Sequence, residues 1–265
     1  MPPRDRYTHG HHESVLQSHG RRTAENSAAY LLPLLRPGMS VLDVGCGPGT
    51  ITRDLAARVA PGLVTGLDAD QGVVERARAE FGGGTLEFRT GDVYALDAAD
   101  ATFDVVHAHQ VLQHLSDPVA ALAEMHRVLR PGGTLAVRDG DYAAFAWAPR
   151  LPGLDAWMDL YHGVTAANGG EADAGRFLPG WVRAAGFQDL RVSSSTWTYA
   201  TPPDRAWWAG TWADRARYSA FADQAVAYGL AERADLEEIA EAWREWAASP
   251  DGTFVIVHVE VLATR

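Results

Sequence analysis

The chain has 265 residues, a formal net charge of −11, 47% hydrophobic residues and 22% charged ones. A chain of that length and apolar content buries a full core and offsets the ordering entropy that keeps apolar-poor chains unfolded. The acidic balance argues against a nucleic-acid partner, which demands a basic face, and no apolar run reaches the roughly 18–20 residues of a membrane span.

The first stretch, residues 1–22, is polar and rich in histidine, with no apolar segment of the secretory kind, so a cytoplasmic location is expected. A single cysteine, Cys46, excludes an internal disulfide and fits a reducing compartment. Four histidines here (His9, His11, His12, His19) lack a Cys or acidic companion at ligand spacing, so the segment reads as a cap or lid and no metal is expected. Thr23–Leu35 is expected to be one helix, ending at Pro37-Gly38.

From residue 40 to 137 strand and helix patterns alternate. Ser40–Val44 is a short apolar run closed by a Gly-rich turn. Ile51, Leu55 and Val59 form a helical stripe. Leu63–Leu67 is a second strand, and Val73, Val74, Ala77 and Phe81 a second helix stopped by Gly82-Gly83-Gly84. Leu86–Arg89 and Phe103–His107 are strands three and four. Pro118 opens a helix continued by Leu122, Met125 and Leu129, which Pro131-Gly132-Gly133 breaks before strand five, Thr134–Val137. Such alternation implies right-handed βαβ units and a parallel sheet covered on both faces.

Beyond this core, residues 141–172 read as an irregular insertion. Arg176–Ala185 is a helix, Leu190–Tyr199 a strand and Thr253–Ala263 a closing strand, with Val255, Val257, Val259 and Val261 on one face and His258 and Glu260 on the other. A helical insertion spans about 203–248, where Leu236, Ile239, Trp243 and Trp246 make an apolar stripe and Asp235 with Glu238 has the spacing of a cap. Of 25 aromatic residues, 6 precede residue 141 and 19 follow it, including all nine Trp. The two halves therefore do different work.

Three carboxylates stand at strand ends. Val41-Leu42-Asp43-Val44-Gly45-Cys46-Gly47-Pro48-Gly49-Thr50 turns tightly and lets a ligand approach the backbone. Asp68 ends the second strand, where a carboxylate accepts both hydroxyls of a ribose. Asp92, in Thr90-Gly91-Asp92-Val93, is placed to accept an adenine amino group.

With Phe103–Val106, Leu112-Gln113-His114-Leu115 and Leu129-Arg130-Pro131-Gly132-Gly133, these pieces resemble the class I S-adenosylmethionine-dependent methyltransferases. The likeness is to the small-molecule, type 11 branch that includes quinone-biosynthesis enzymes, and it covers about residues 37–137. It implies an α/β, Rossmann-like three-layer sandwich with a seven-stranded, mostly parallel sheet whose last strand is antiparallel. The implied organisation is a cap segment at 1–36, a cofactor-binding core at 37–140, an insertion at 141–175, and the end of the sheet at 176–265 with the helical cap 203–248.

The resemblance further implies S-adenosylmethionine as cofactor. Gly45, Cys46 and Gly47 would face its methionine part, with Asp43 beneath, bonded to the turn amides or the cofactor amine. Asp68 and Ala69 fall at the ribose and adenine, Asp92 and Val93 at the adenine edge, Ala108 and His109 near the sulfonium. Tyr7, Arg22 and Thr23 are lid candidates, Arg22 for the methionine carboxylate. His19, His114 and Asp139 are candidate bases, although methyl transfer to an unprotonated acceptor needs none; for each, a structural role competes. The aromatic second half suggests a planar or aromatic small-molecule acceptor, an amine held by ring faces among the candidates. Two alternatives stay open: a cofactor-binding module without catalysis, and a nicotinamide-dependent oxidoreductase, against which the third glycine stands one residue early for G-x-G-x-x-G. Oligomeric state is not legible.

Overall fold

A computed structural model describes residues 5–10 and 12–265; His11 lies outside them. One sheet carries β1 (Val41–Val44), β2 (Val64–Asp68), β3 (Leu86–Thr90), β4 (Phe103–His109), β5 (Leu129–Gly140), β6 (Ala146–Ala148), β7 (Gln188–Tyr199) and β8 (Thr253–Thr264). Its path is β3-β2-β1-β4-β5-β8, and β7 pairs with β8. The first five strands are mutually parallel, whereas β8 runs antiparallel to both β5 and β7. The expected seven strands and reversed last strand are therefore present. The eighth, β6, is a three-residue strip that pairs with Thr253–Val255, beyond the β5 pairing.

Helices follow the strands: α1 (Glu13–Gly20), α2 (Ala24–Ser27), α3 (Thr50–Val59), α4 (Gln71–Phe81), α5 (Pro118–Val128), α6 (Pro152–Ala167), α7 (Ala174–Ala184), α8 (Pro202–Tyr218), α9 (Ala220–Ala227) and α10 (Arg233–Ala248). The stripe of α3 is buried at Ile51, Leu55 and Val59. Asp70 caps α4 by accepting the Val73 N–H at 2.8 Å, and Asp117 caps α5 through Ala120 at 3.0 Å, each meeting one of the orphan donors of a helix start.

Alternate residues of the central strands enter two cores on opposite faces, Val41 and Val105 with α3 and α4, Leu42 and Val106 with α5 and α7. A third core belongs to the cap, where Trp157, Trp212, Trp243, Trp246 and Phe254 are buried together. Among the described residues no helix is long and apolar enough to cross a membrane.

Several expected elements differ. Thr23–Leu35 is not one helix. Thr23 and Asn26 close a capping box on the four-residue α2, and the chain leaves the helix at Ala28 and re-forms a single 3-10 turn, Leu32–Leu34, around Pro33, which has no N–H to extend an α ladder. The insertion after β5 is not irregular. It holds a 3-10 turn, β6 and the 16-residue α6, ordered because Leu154, Trp157, Met158, Tyr161 and Val164 recur at helical spacing and enter the cap core. The box on α10 pairs Glu232 with Asp235, one turn before the expected Asp235–Glu238. On β8 the face with His258 and Glu260 is the more deeply buried one.

Candidate active site

Reversal of strand order between β1 and β4 opens a crevice at the carboxyl ends of the strands, the place where ligands bind in such sheets. A cavity of about 680 Å³ occupies it, walled by the turns after β1, β2 and β3, by the N-terminal segment and by α8.

The turn after β1 shows what its glycines do. Gly45 has φ +67°, and a Cβ there would stand 2.3 Å from Val111 Cγ2, so packing requires it. Gly47 has φ +52° and fronts the cavity, where a Cβ would meet only His19 Nδ1, at 4.0 Å. Asp68 ties this turn down: its Oδ2 accepts the Gly47 N–H and its Oδ1 the Asp70 N–H, both at 3.0 Å. Asp92 Oδ1 accepts the Tyr94 N–H at 2.9 Å. Ala69 and Val93 line the same end, and so does Cys46, whose thiol burial pushes far above its ordinary range.

Asp43 also borders the cavity, but the turn amides are not among its hydrogen-bond partners. Its Oδ2 accepts the Thr52 hydroxyl at 2.6 Å and its Oδ1 lies 2.7 Å from His107 Nδ1. It anchors α3 to β4 beneath the loop.

The N-terminal segment closes over the opposite wall. His19 sits beside Tyr7, whose hydroxyl is 3.5 Å from His19 Nε2, and Thr50 reaches the His19 carbonyl at 3.5 Å. Arg22 donates to Gln110 Oε1, and Gln110 Nε2 lies 2.9 Å from His258 Nε2. His114 meets the Tyr7 ring edge-on at 4.8 Å. Burial, helped by nearby arginines, holds His19 and His109 well below the ordinary imidazole range and lowers His114 to about 3. These rings are therefore neutral and weakly basic. The same burial lowers Arg22 to about 10.

Three expected residues lie off the cavity. Thr23 caps α2. Ala108 is buried inside β4 opposite Val44. Asp139 is 0% exposed, and its Oδ1 accepts the Gln113 N–H at 3.2 Å while its Oδ2 has no partner. Burial pushes its carboxyl up to about 7. Asp141, its neighbour, is paired with Arg176, whose Nε donates at 2.8 Å.

Sequence reading expected aromatic residues of the second half at the acceptor but passed over Tyr142 and Arg215. Tyr142, Trp208, Trp212 and Arg215 all line the cavity. Arg215 is 4% exposed, donates to Ser18 Oγ and lies 5.0 Å over the Trp212 ring; burial lowers its guanidinium from the usual range. The signal was present: Trp208, Trp212 and Arg215 recur at i, i+4 and i+7, so an arginine occupies the inward stripe of α8.

Comparison with known proteins bears on this cavity. A sequence family described as a methyltransferase domain matches residues 42–137. The chain is 31% identical over 270 residues to an uncharacterized methyltransferase of Schizosaccharomyces pombe, covering 97% of this chain and 95% of that protein. Among solved structures it is similar to the YcgJ protein of Bacillus subtilis, with a TM-score of 0.58 and 19% identity over 91% of this chain and 98% of that one. It is also similar to phosphoethanolamine N-methyltransferase 2 of Haemonchus contortus, solved with phosphomonomethylethanolamine and S-adenosylhomocysteine, with a TM-score of 0.53 and 15% identity over 87% of this chain and 49% of that one.

Proposed function

The chain belongs to the class I S-adenosylmethionine-dependent methyltransferases, and from that premise we propose that it methylates N or O of a small, planar or aromatic acceptor held under the cap. The carrying observation is that a single cavity runs from Gly47, Asp68 and Asp92 to the aromatic wall of α8. Residues 37–140 are the cofactor-binding part of this arrangement, and segments 1–36, 141–175 and 203–248 are its cap.

S-adenosylmethionine is the cofactor, and when bound it supplies a methyl carbon activated by an adjacent positive sulfur. The residues present suit it. Gly47 leaves the turn open where a Cβ would project into the cavity. Asp68 and Asp92 are carboxylates at the two positions where ribose hydroxyls and an adenine amino group need acceptors, Ala69 and Val93 flank them, and Arg22 is a half-buried cation for the methionine carboxylate, with Tyr7, His19, Cys46 and His109 around it.

What the chain contributes to rate is mainly placement and dryness. Holding an acceptor atom about 3–3.5 Å from the methyl carbon in a water-poor cavity supplies much of the barrier reduction. His19 and His114, neutral and weakly basic, serve better to position an acceptor than to deprotonate one.

Calorimetric titration of S-adenosylhomocysteine, with NAD as control, tests this reading on wild type and Asp68→Ala. Micromolar binding to wild type is expected, weakened by about 1–3 kcal/mol in the variant, the scale of charge-assisted hydrogen bonds lost. NAD binding in place of S-adenosylhomocysteine would move the oxidoreductase to the front. Cofactor binding with no turnover on any phenol, amine or aromatic acid would leave a binding module.

A further inference from the structure

We propose that Arg215 anchors a negatively charged oxygen group on the methyl acceptor, so that the acceptor is a planar or aromatic acid rather than an amine. This rests on the reading that cofactor and acceptor share the cavity.

The argument starts from how the fold treats its other buried arginines. Arg138 lies 3.3 Å from Glu260 and bonds Ser195 Oγ. Arg205 donates to the carbonyls of Ala200 and Ala247. Arg215 is as deeply buried as these, yet among the described residues it has the Trp212 ring face and a single hydrogen-bond acceptor, the Ser18 hydroxyl, its Nε is without a partner, and no carboxylate pairs with it. The tyrosines around it, Tyr7, Tyr142, Tyr161 and Tyr199, are neutral phenols whose pKa burial raises, and they bring no negative charge. Leaving a guanidinium in a low-dielectric wall without an anion is costly unless a ligand brings one.

Chemistry of the surrounding groups narrows the ligand. Trp208 and Trp212 stand on the same wall, and their indole N–H groups also have no acceptor among the described residues. Guanidinium and indole are donors only. Their complement is a group that only accepts, which describes a carboxylate or phosphate and not an ammonium. Arg22, the other cation on the wall, is matched by the carboxylate of the cofactor. The carboxylates on the cavity wall, Asp5, Asp43, Asp68, Asp70 and Asp92, come from the N-terminal segment and the strand ends, whereas the α8 wall carries Arg215 as its charged group, so an amine held there would meet a like charge. An acid offsets that charge.

The test uses the full chain saturated with S-adenosylhomocysteine and titrates three probes of one shape: 2-naphthoate, 2-naphthamide and 2-naphthylmethylamine. Wild type is expected to bind the acid at least about tenfold tighter than either other probe. Arg215→Gln brings the acid to within about twofold of the amide, Arg215→Lys keeps part of the preference, and all three proteins hold S-adenosylhomocysteine within about twofold, which also reports that the variants are folded. Equal or undetectable binding of the three probes to wild type overturns the proposal. So does an acid preference that survives Arg215→Gln. A tenfold loss of S-adenosylhomocysteine in folded Arg215→Gln overturns it as well, by assigning the guanidinium to the cofactor. Failure of wild type to bind S-adenosylhomocysteine is a separate result: it strikes the cofactor reading itself.

Discussion

On the sheet side of the cavity, Asp43 and Asp68 both hold protein donors: Asp68 holds two backbone amides and keeps acceptor sites to spare, Asp43 holds Thr52 and His107. On the cap side Arg215 Nε and the indole N–H groups of Trp208 and Trp212 lack hydrogen-bond partners among the described residues, and the buried histidines His9 and His114 each carry an unmatched Nδ1. Burying polar atoms without partners is unfavourable, so the contrast separates carboxylates tied down by protein donors from a cap wall whose donors are unmatched, although His109 Nε2 on the sheet side is unmatched as well. The first wall is made from strand ends, the second from side chains of distant segments packed on each other.

Three measurements break or sharpen this contrast. The largest effect falls in the cap core. Trp243 is fully buried, 4.9 Å from Trp157 and 5.3 Å from Phe254 by ring centroids. Trp243→Ala is expected to lose about 3–5 kcal/mol in denaturant unfolding, with S-adenosylhomocysteine affinity of the folded fraction within about twofold. A parallel loss of cofactor affinity would mean that the two walls are not separable.

The next concerns Asp139, behind the cavity. Its carboxyl is raised from 3.8 to about 7 by burial, so the native state holds a proton that the unfolded chain releases. That contribution is complete below about pH 4 and is lost as pH rises through 7. Asp139→Asn keeps the neutral form at every pH. Thermal or denaturant unfolding across pH 4–8 is expected to show little difference at pH 4 and a gain of up to about 4 kcal/mol for the variant at pH 8. The histidines with depressed pKa act in the opposite sense in both proteins and cancel in the difference.

The smallest effect is a paired one. Thr52→Val removes the 2.6 Å donor to buried Asp43 and is expected to cost about 1–3 kcal/mol. Arg215→Met removes an unmatched donor from the cap wall and is expected to be neutral or to gain about 1 kcal/mol in the ligand-free protein. Opposite signs support the contrast; equal losses would end it.

Much of the sheet was legible in the sequence because strand, turn and helix signals sit within about ten residues of one another and repeat. The alternation of 40–137, the stripe at Ile51, Leu55 and Val59, and the closing strand all reappear in the fold. The elements misjudged are those whose local pattern was weak or misleading. The helix expected at Thr23–Leu35 ends at Ser27, and only a 3-10 turn re-forms around Pro33. α6 carries Pro152, Gly153 and Gly163, which reads as loop until Trp157 and Tyr161 are seen entering the cap core.

The site divides along the same line. Gly47, Asp68 and Asp92 could be found by position, since backbone turns at strand ends fix where a ligand meets the chain. The partners of Asp43, the distance of Asp139 and Ala108 from the cavity, and the isolation of Arg215 could not. Those depend on which side chains from residues 5–22, 142 and 208–215 arrive at one wall. The sequence by itself thus determined the sheet and the carboxylates at its edge, because local hydrogen bonding and periodicity encode them. Tertiary structure alone decided which charges are matched and which wait for a ligand, because burial and electrostatic pairing depend on long-range packing that no short window contains.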